Sequence, residues 1–349
     1  MGFGAIVRGG LLLAFAGSSA ALASPATVAY SSNPEPSSFQ VGKVLVTPTP
    51  PSPNFDPLTA SNAALRANGF PERPAGTPPG WFIGAVSHTK WVYPRFTPRY
   101  NHQPASPSHQ SASSTGELEA PNWAGNQAKN GSQFNSIVAK WNVPSVGSPA
   151  GTNAYSSIWP GLGSGKASSN QLLQAGSEQD ISWQYVLHYG WEATTSYYLW
   201  WEAFPFNAQQ QVNIAVSPGQ TIFVNVAYYG SSTAHYYIKN ESTGVATSFD
   251  ASFSGGFTGL NAEWIVERTQ VGNNYPPLAD FNNTTFSDAN AEQGSTWNGV
   301  GNWSHNYLDM YDWHNDDSEV TDAYPGPISS GNTFTLYWSN YGDTDAVNT

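Results

Sequence analysis

The chain has 349 residues, no cysteine, and 12 Lys/Arg against 24 Asp/Glu, a formal net charge of −12. Lack of thiols excludes cysteine nucleophiles, thiolate zinc sites and iron–sulfur clusters, and leaves the fold to be held by its core without disulfides. Residues 24–116 carry six cations (Lys43, Arg66, Arg73, Lys90, Arg95, Arg99) and three acids (Glu35, Asp56, Glu72), a net of +3, whereas 117–349 carry a net of −16. An acidic body repels phosphate, which argues against nucleic acid as a partner, and its few cations limit self-repulsion in acid.

In chain order, residues 1–23 read as an export signal: Arg8, a short apolar stretch, and Ala21-Leu22-Ala23 before Ser24. The protein is therefore expected to be secreted. No later stretch reaches the roughly 18 apolar residues of a membrane helix, so no membrane partner is expected. Residues 24–116 hold 16 of the 26 prolines, and "QPASPSHQSASSTGELEAP" (103–121) reads as an extended, cleavable linker. Within this leader, only "GWFIGAVSHTKWVYPRF" (80–96) is expected to pack in an ordered way.

From residue 122 the texture changes to short runs rich in Val, Ile, Tyr, Trp and Thr, such as "SIVAKWNV", "YSSIWPGL", "VNIAVS", "TIFVNVAYYG", "AHYYIKN" and "TFTLYWSNYG". Gly, Ser, Asn and Asp clusters separate them without helical periodicity, so 117–349 is expected to form one all-β antiparallel sandwich.

Alternation along a strand assigns faces. In "NAEWIVER", Ala262, Trp264 and Val266 share the face suited to burial between sheets. Glu263, Ile265 and Glu267 share the other, where the two carboxyls are expected to raise one another's pKa and so serve acid–base chemistry. In "NQLLQAGSE", Gln174 shares a face with Leu172 and Gly176; its amide N–H groups can serve an oxyanion at any pH. In "SYYLWWEAFP", Tyr198, Trp200, Glu202 and Phe204 oppose Tyr197, Leu199, Trp201 and Ala203, either set fitting a core or a groove lining.

"NWAG" (122–125), "WNVP" (141–144), "LLQAG" (172–176), "WWEAFP" (200–205) and "NAEWIVE" (261–267) follow the order and rough spacing of the glutamic peptidases (eqolisins), which the body from about 120 to 340 resembles. The resemblance implies a concanavalin-like (jelly-roll) sandwich made with a signal and propeptide. It also implies an acid endopeptidase with the catalytic dyad Gln174 and Glu267, and substrate-cleft positions at Trp123, Glu178, Trp200, Glu202, Phe204 and Glu263. Proteins and peptides would be the substrates, no metal or cofactor would be needed, and pepstatin would have little effect. The chain departs from the family pattern at Gly163, where an Asp is usual, at Phe204, where a Tyr is usual, and in lacking disulfides.

On charge, the leader is expected to inhibit the enzyme, with 80–96 over the acidic cleft and Lys90 or Arg95 nearest the catalytic carboxylates, until acid loosens it and cleavage near 100–120 releases it. The molecule is expected to act as a monomer. A glycoside hydrolase or a sugar-binding module on the same sandwich is the alternative, since 12 body tryptophans and paired acids suit stacked sugars. Elsewhere, the acid-rich 309–322 is expected to be an exposed loop, with calcium as a lesser alternative. His188, His235, His305 and His314 lack metal-ligand spacing, and Asn130 and Asn240 head glycosylation sequons.

Overall fold

The computed structural model describes residues 37–99, 111–112, 118–164, 171–313, 319–342 and 345–346. The export signal, most of the linker and His314 lie outside them.

The leader contributes β1 (Phe39–Val41), β2 (Val44–Pro48), α1 (Asn62–Ala67), α2 (Gly80–Val86), β3 (Lys90–Trp91) and β4 (Phe96–Pro98), and short β5 (Ser111–Ala112) follows. β6 (Leu118–Ala120), β7 (Trp123–Lys129), β8 (Ser136–Asn142), β9 (Ala154–Gly163), β10 (Leu172–Val186), β11 (Gly190–Phe204) and β12 (Gln210–Val212) open the body. β13 (Thr221–Tyr228), β14 (Thr233–Asn240), β15 (Val245–Ser252), β16 (Asn261–Glu267), β17 (Asn274–Tyr275), β18 (Asn283–Gln293), β19 (Thr296–Gly299), β20 (His305–Trp313), β21 (Glu319–Pro325), β22 (Phe334–Trp338) and β23 (Asp345–Ala346) complete it.

Two antiparallel layers result. The front sheet runs β4–β12–β11–β10–β9–β16–β7–β20–β21–β22. The back sheet runs β1–β2–β15–β14–β13–β8–β18–β19. β18 joins both: Asn283–Phe286 pair with β22, and from Ser287 on the strand pairs with β8, with an irregularity between Ser287 and Asn290. A bulge of this kind lets one strand turn from one layer into the other.

The core between the layers is where alternation puts it. Trp264, Val266, Ala262, Leu199, Trp201, Ala203 and Leu173 face Ile137, Ala139, Trp141, Ile222, Val224, Tyr236 and Phe249. The antiparallel sandwich expected from the short β-rich runs is thus the fold. "VNIAVS" differs: only Val212 is in a strand, and Ile214 and Val216 reach the same core from a loop.

The leader departs most from expectation. Ordered structure starts upstream of 80, and Val44 and Val46 are fully buried in the inter-sheet core. β2 and β3 lengthen the back sheet beside β15, and β4 lengthens the front sheet beside β12. The 80–86 stretch is helical and does not lie on the acidic face. Trp81, Phe82, Ala85 and Val86 cover Val138, Phe223, Tyr237 and Ala246, outward residues of the back sheet. Lys90 pairs along β15, and the Arg95 backbone N–H donates to Asn213 Oδ1 at 2.9 Å. Apolar area, absent from the charge argument, decides this docking: each fully buried Trp, Phe or Val contributes about 1.5–3 kcal/mol.

Candidate active site

Three rows of side chains cross the outer face of the front sheet. The first aligns Gln127, Glu263, Gly161, Gln174 and Glu202 on β7, β16, β9, β10 and β11. Two residues along lie Ile265, Trp159, Gly176 and Trp200. The third row aligns Trp123, Glu267, Ser157, Glu178 and Tyr198. All eight residues expected at the site are therefore on this face, with Phe204 opposite Leu172 at its margin. Gln174 and Glu267 occupy different rows, four residues apart in register and two strands apart.

The central strand β9 makes room. Its outward residues are Ser157, Trp159, Gly161 and Gly163, so only one is large. A Cβ on Gly163 would sit 2.9 Å from Glu263 Oε1, so the Glu263 carboxyl fills the space a side chain there would take. Gly176 is required by close approach: a Cβ would meet Ile158 O at 2.1 Å and Trp159 Cβ at 2.7 Å.

Each polar group has its own partners. Glu267 accepts from Trp159 Nε1 at 2.8 Å and Asn122 Nδ2 at 3.2 Å. Gln174 Nε2 donates to Glu202 Oε2 at 2.8 Å. Glu178 accepts from Thr269 Oγ1 at 2.5 Å and Gln209 Nε2 at 3.0 Å. Glu263 Oε1 accepts from Gln127 Nε2 at 2.6 Å and Asn261 Nδ2 at 3.3 Å. Burial holds the Glu263 carboxyl above the ordinary glutamate range; the Gln127 and Asn261 donors and nearby Lys129 oppose that shift without cancelling it. Mutual crowding of Glu263 and Glu267 is not its cause, since they are four residues apart on one strand with Ile265 between them. Trp123 and Trp159 meet edge-to-face with ring centroids 5.2 Å apart. At the front-sheet edge, the Arg99 guanidinium lies 4.9 Å from the Tyr198 ring centroid.

The sequence reading missed the donors. Asn122 and Trp159 both stand inside stretches it singled out, but a hydrogen bond between strands has no spacing signature. It also missed the role of two acids in 309–322. Asp312 and Asp322 are buried and neutralise buried Arg268, at 3.4 and 3.6 Å from Nη1, so this part is not an exposed loop. Among the described residues no group of three or more His, Asp or Glu could hold a metal, and no helix is long and apolar enough to cross a membrane. His235 is buried and bonds Asp250 through Nδ1 at 2.8 Å, His305 Nδ1 lies 2.9 Å from Trp303 O, and His188 sits in the β10–β11 turn. Asn240 is fully buried, bonded to Ala215 O and Gln220 Oε1, while Asn130 is exposed.

A two-layer β-sandwich with buried glutamates, a glutamine and indoles on one outer face defines a class of protein equipped for acid–base hydrolysis through carboxyl and amide groups. Residues 121–327 match the model of the Peptidase A4 family, and the chain belongs to that family. It is 30% identical over 202 residues to aspergillopepsin-2 of Aspergillus niger, covering 52% of this chain and 68% of that protein. To scytalidopepsin B of Scytalidium lignicola it is 28% identical over 185 residues, covering 51% and 65%. The crystal structure of scytalido-glutamic peptidase with a peptide-based transition-state analogue has the same fold. Its TM-score is 0.50 at 22% identity, over 63% of this chain and 98% of that one. The protein is a glutamic endopeptidase, a hydrolase of peptide bonds. This sets aside the glycoside hydrolase and sugar-binding alternatives.

Proposed function

We propose that the protein is a secreted acid endopeptidase in which Glu267 and Gln174 form the catalytic dyad. The observation that carries this reading is the contrast between the two outward glutamates of β16. Glu267 has an N–H donor on each oxygen, from Asn122 and Trp159, whereas burial holds the Glu263 carboxyl above the ordinary glutamate range. Glu267 takes a proton from water, and the oxygen attacks the scissile carbonyl carbon. Gln174 donates to the oxyanion that develops, stabilising charge absent from the ground state. Glu202 binds one end of that amide, which supports a fixed direction for its N–H groups. Glu267 then passes its proton to the amide nitrogen, the C–N bond breaks, and a carboxylic acid and an amine leave.

Trp123, Trp200 and Phe204 would line the path of a peptide substrate; scytalido-glutamic peptidase is bound to a peptide-based transition-state analogue. The enzyme would act as a monomer, insensitive to pepstatin, and be made as a zymogen activated by cleavage within 100–120. The test is casein cleavage in acid by Glu267→Gln and Gln174→Ala, each expected to lower kcat by about 100-fold or more, with Glu263→Gln losing much less. Full activity in Glu267→Gln overturns the assignment.

A further inference from the structure

We infer that the leader, residues 39–99, is a permanent part of the enzyme and stays bound to the body after the linker is cut. Three independent contacts carry this. First, Val44 and Val46 belong to the core between the two sheets, so the leader fills part of the main core. Second, its strands cover an edge of each layer. β2 and β3 pair with β15, β4 pairs with β12, and Trp91 Nε1 donates to Ser248 Oγ at 3.1 Å. Bare β15 and β12 would expose unpaired backbone groups, which sheet proteins avoid.

Third, Lys239 is 2% exposed on the outer side of the back sheet. Its Nζ donates to three leader carbonyls: Gly84 O at 3.0 Å, Ala85 O at 3.0 Å and Ser87 O at 2.6 Å. These belong to the end of α2, where carbonyls lack intrahelical partners, so the ammonium and the helix end satisfy each other. Departure of the leader would strip Lys239 of these acceptors and bare Val138, Phe223 and Tyr237 to water.

Acid does not undo these contacts. Apolar burial and an ammonium bound to carbonyls are unchanged from about pH 2 to 7, because an ordinary lysine titrates near 10.4. Lys239, lowered by burial to about 8, still lies above that range, and the charged groups near it are Glu241 and Lys140. The charged groups at the interface are Glu241 and Lys140 beside Lys239, and Arg66 and Glu72 of the leader with Asp250, His235 and Glu292 of the body around Tyr229. Arg66 also lies over the Tyr229 ring, 5.1 Å from the centroid, a contact that needs no carboxylate. The net charges of +3 and −16 predict release in acid; the docked surfaces predict retention. The family match begins at residue 121, so this docking belongs to the part of the chain outside it.

The experiment places a specific protease site within 103–110 of the full chain, cuts it, and applies size-exclusion chromatography at about pH 3 and pH 6. Both fragments are expected to co-elute at each pH and to separate only in denaturant. Phe82→Asp in the same cut chain is expected to release the leader fragment, with the body seen by mass spectrometry as a separate species. If the cut wild-type leader elutes alone at either pH, the inference is overturned; co-elution that survives Phe82→Asp overturns the α2 contact as one of its carriers.

Discussion

Glu292 on β18 makes a contribution to stability that falls as pH rises. Its carboxyl is pushed up from 4.5 to about 7, first by burial, then by Glu72 of the leader, with Arg66 opposing. Below about pH 4.5 both folded and unfolded chains hold the proton, and the group costs nothing. Between about 4.5 and 7 the folded chain holds a proton that the unfolded chain has lost, so stability falls with rising pH, and above about 7 the full penalty applies. A shift of this size corresponds to about 3 kcal/mol at full burial; Glu292 is only partly buried, so solvent screening reduces it to about 1–2 kcal/mol. Glu292→Gln removes the charge while keeping the shape. Urea denaturation of the two proteins should give equal stabilities near pH 4 and a variant more stable by that margin near pH 8. Parallel pH dependences in the two proteins would refute the reasoning.

Glu202→Ala should lower kcat by about tenfold or more with KM nearly unchanged, while Glu202→Gln, whose carbonyl can still accept from Gln174, should keep most activity; steady-state kinetics on a peptide checks both. Arg268→Met should cost about 3–5 kcal/mol by leaving Asp312 and Asp322 buried without their cation, and adding Asp312→Asn and Asp322→Asn should restore part of it in urea titrations. Gly163→Asp would press a second carboxyl against Glu263, and two carboxyls in contact do not both ionise. The variant should be less stable near neutral pH than in acid when compared with wild type; thermal midpoints that differ equally at both pH values would contradict this.

Strand alternation alone determined the composition of both faces of β10, β11 and β16. The structure then turned the faces of Trp264, Leu199 and Trp201 to the interior and brought Gln174, Glu202, Glu263 and Glu267 to one outer surface. The motif series by itself likewise points to the peptidase family. The sequence alone carries no register between strands. Only the tertiary structure put Glu263, Gly161 and Gln174 in one row and Glu267, Ser157 and Glu178 in another, and so supplied Trp159 and Asn122 as the donors to Glu267. It also decided the leader. Net charge acts at long range and is screened by salt, so it argued for the acidic face. Trp81, Phe82 and the carbonyls held by Lys239 act at contact, where buried apolar area and directed hydrogen bonds outweigh it, and they seat α2 on the opposite sheet.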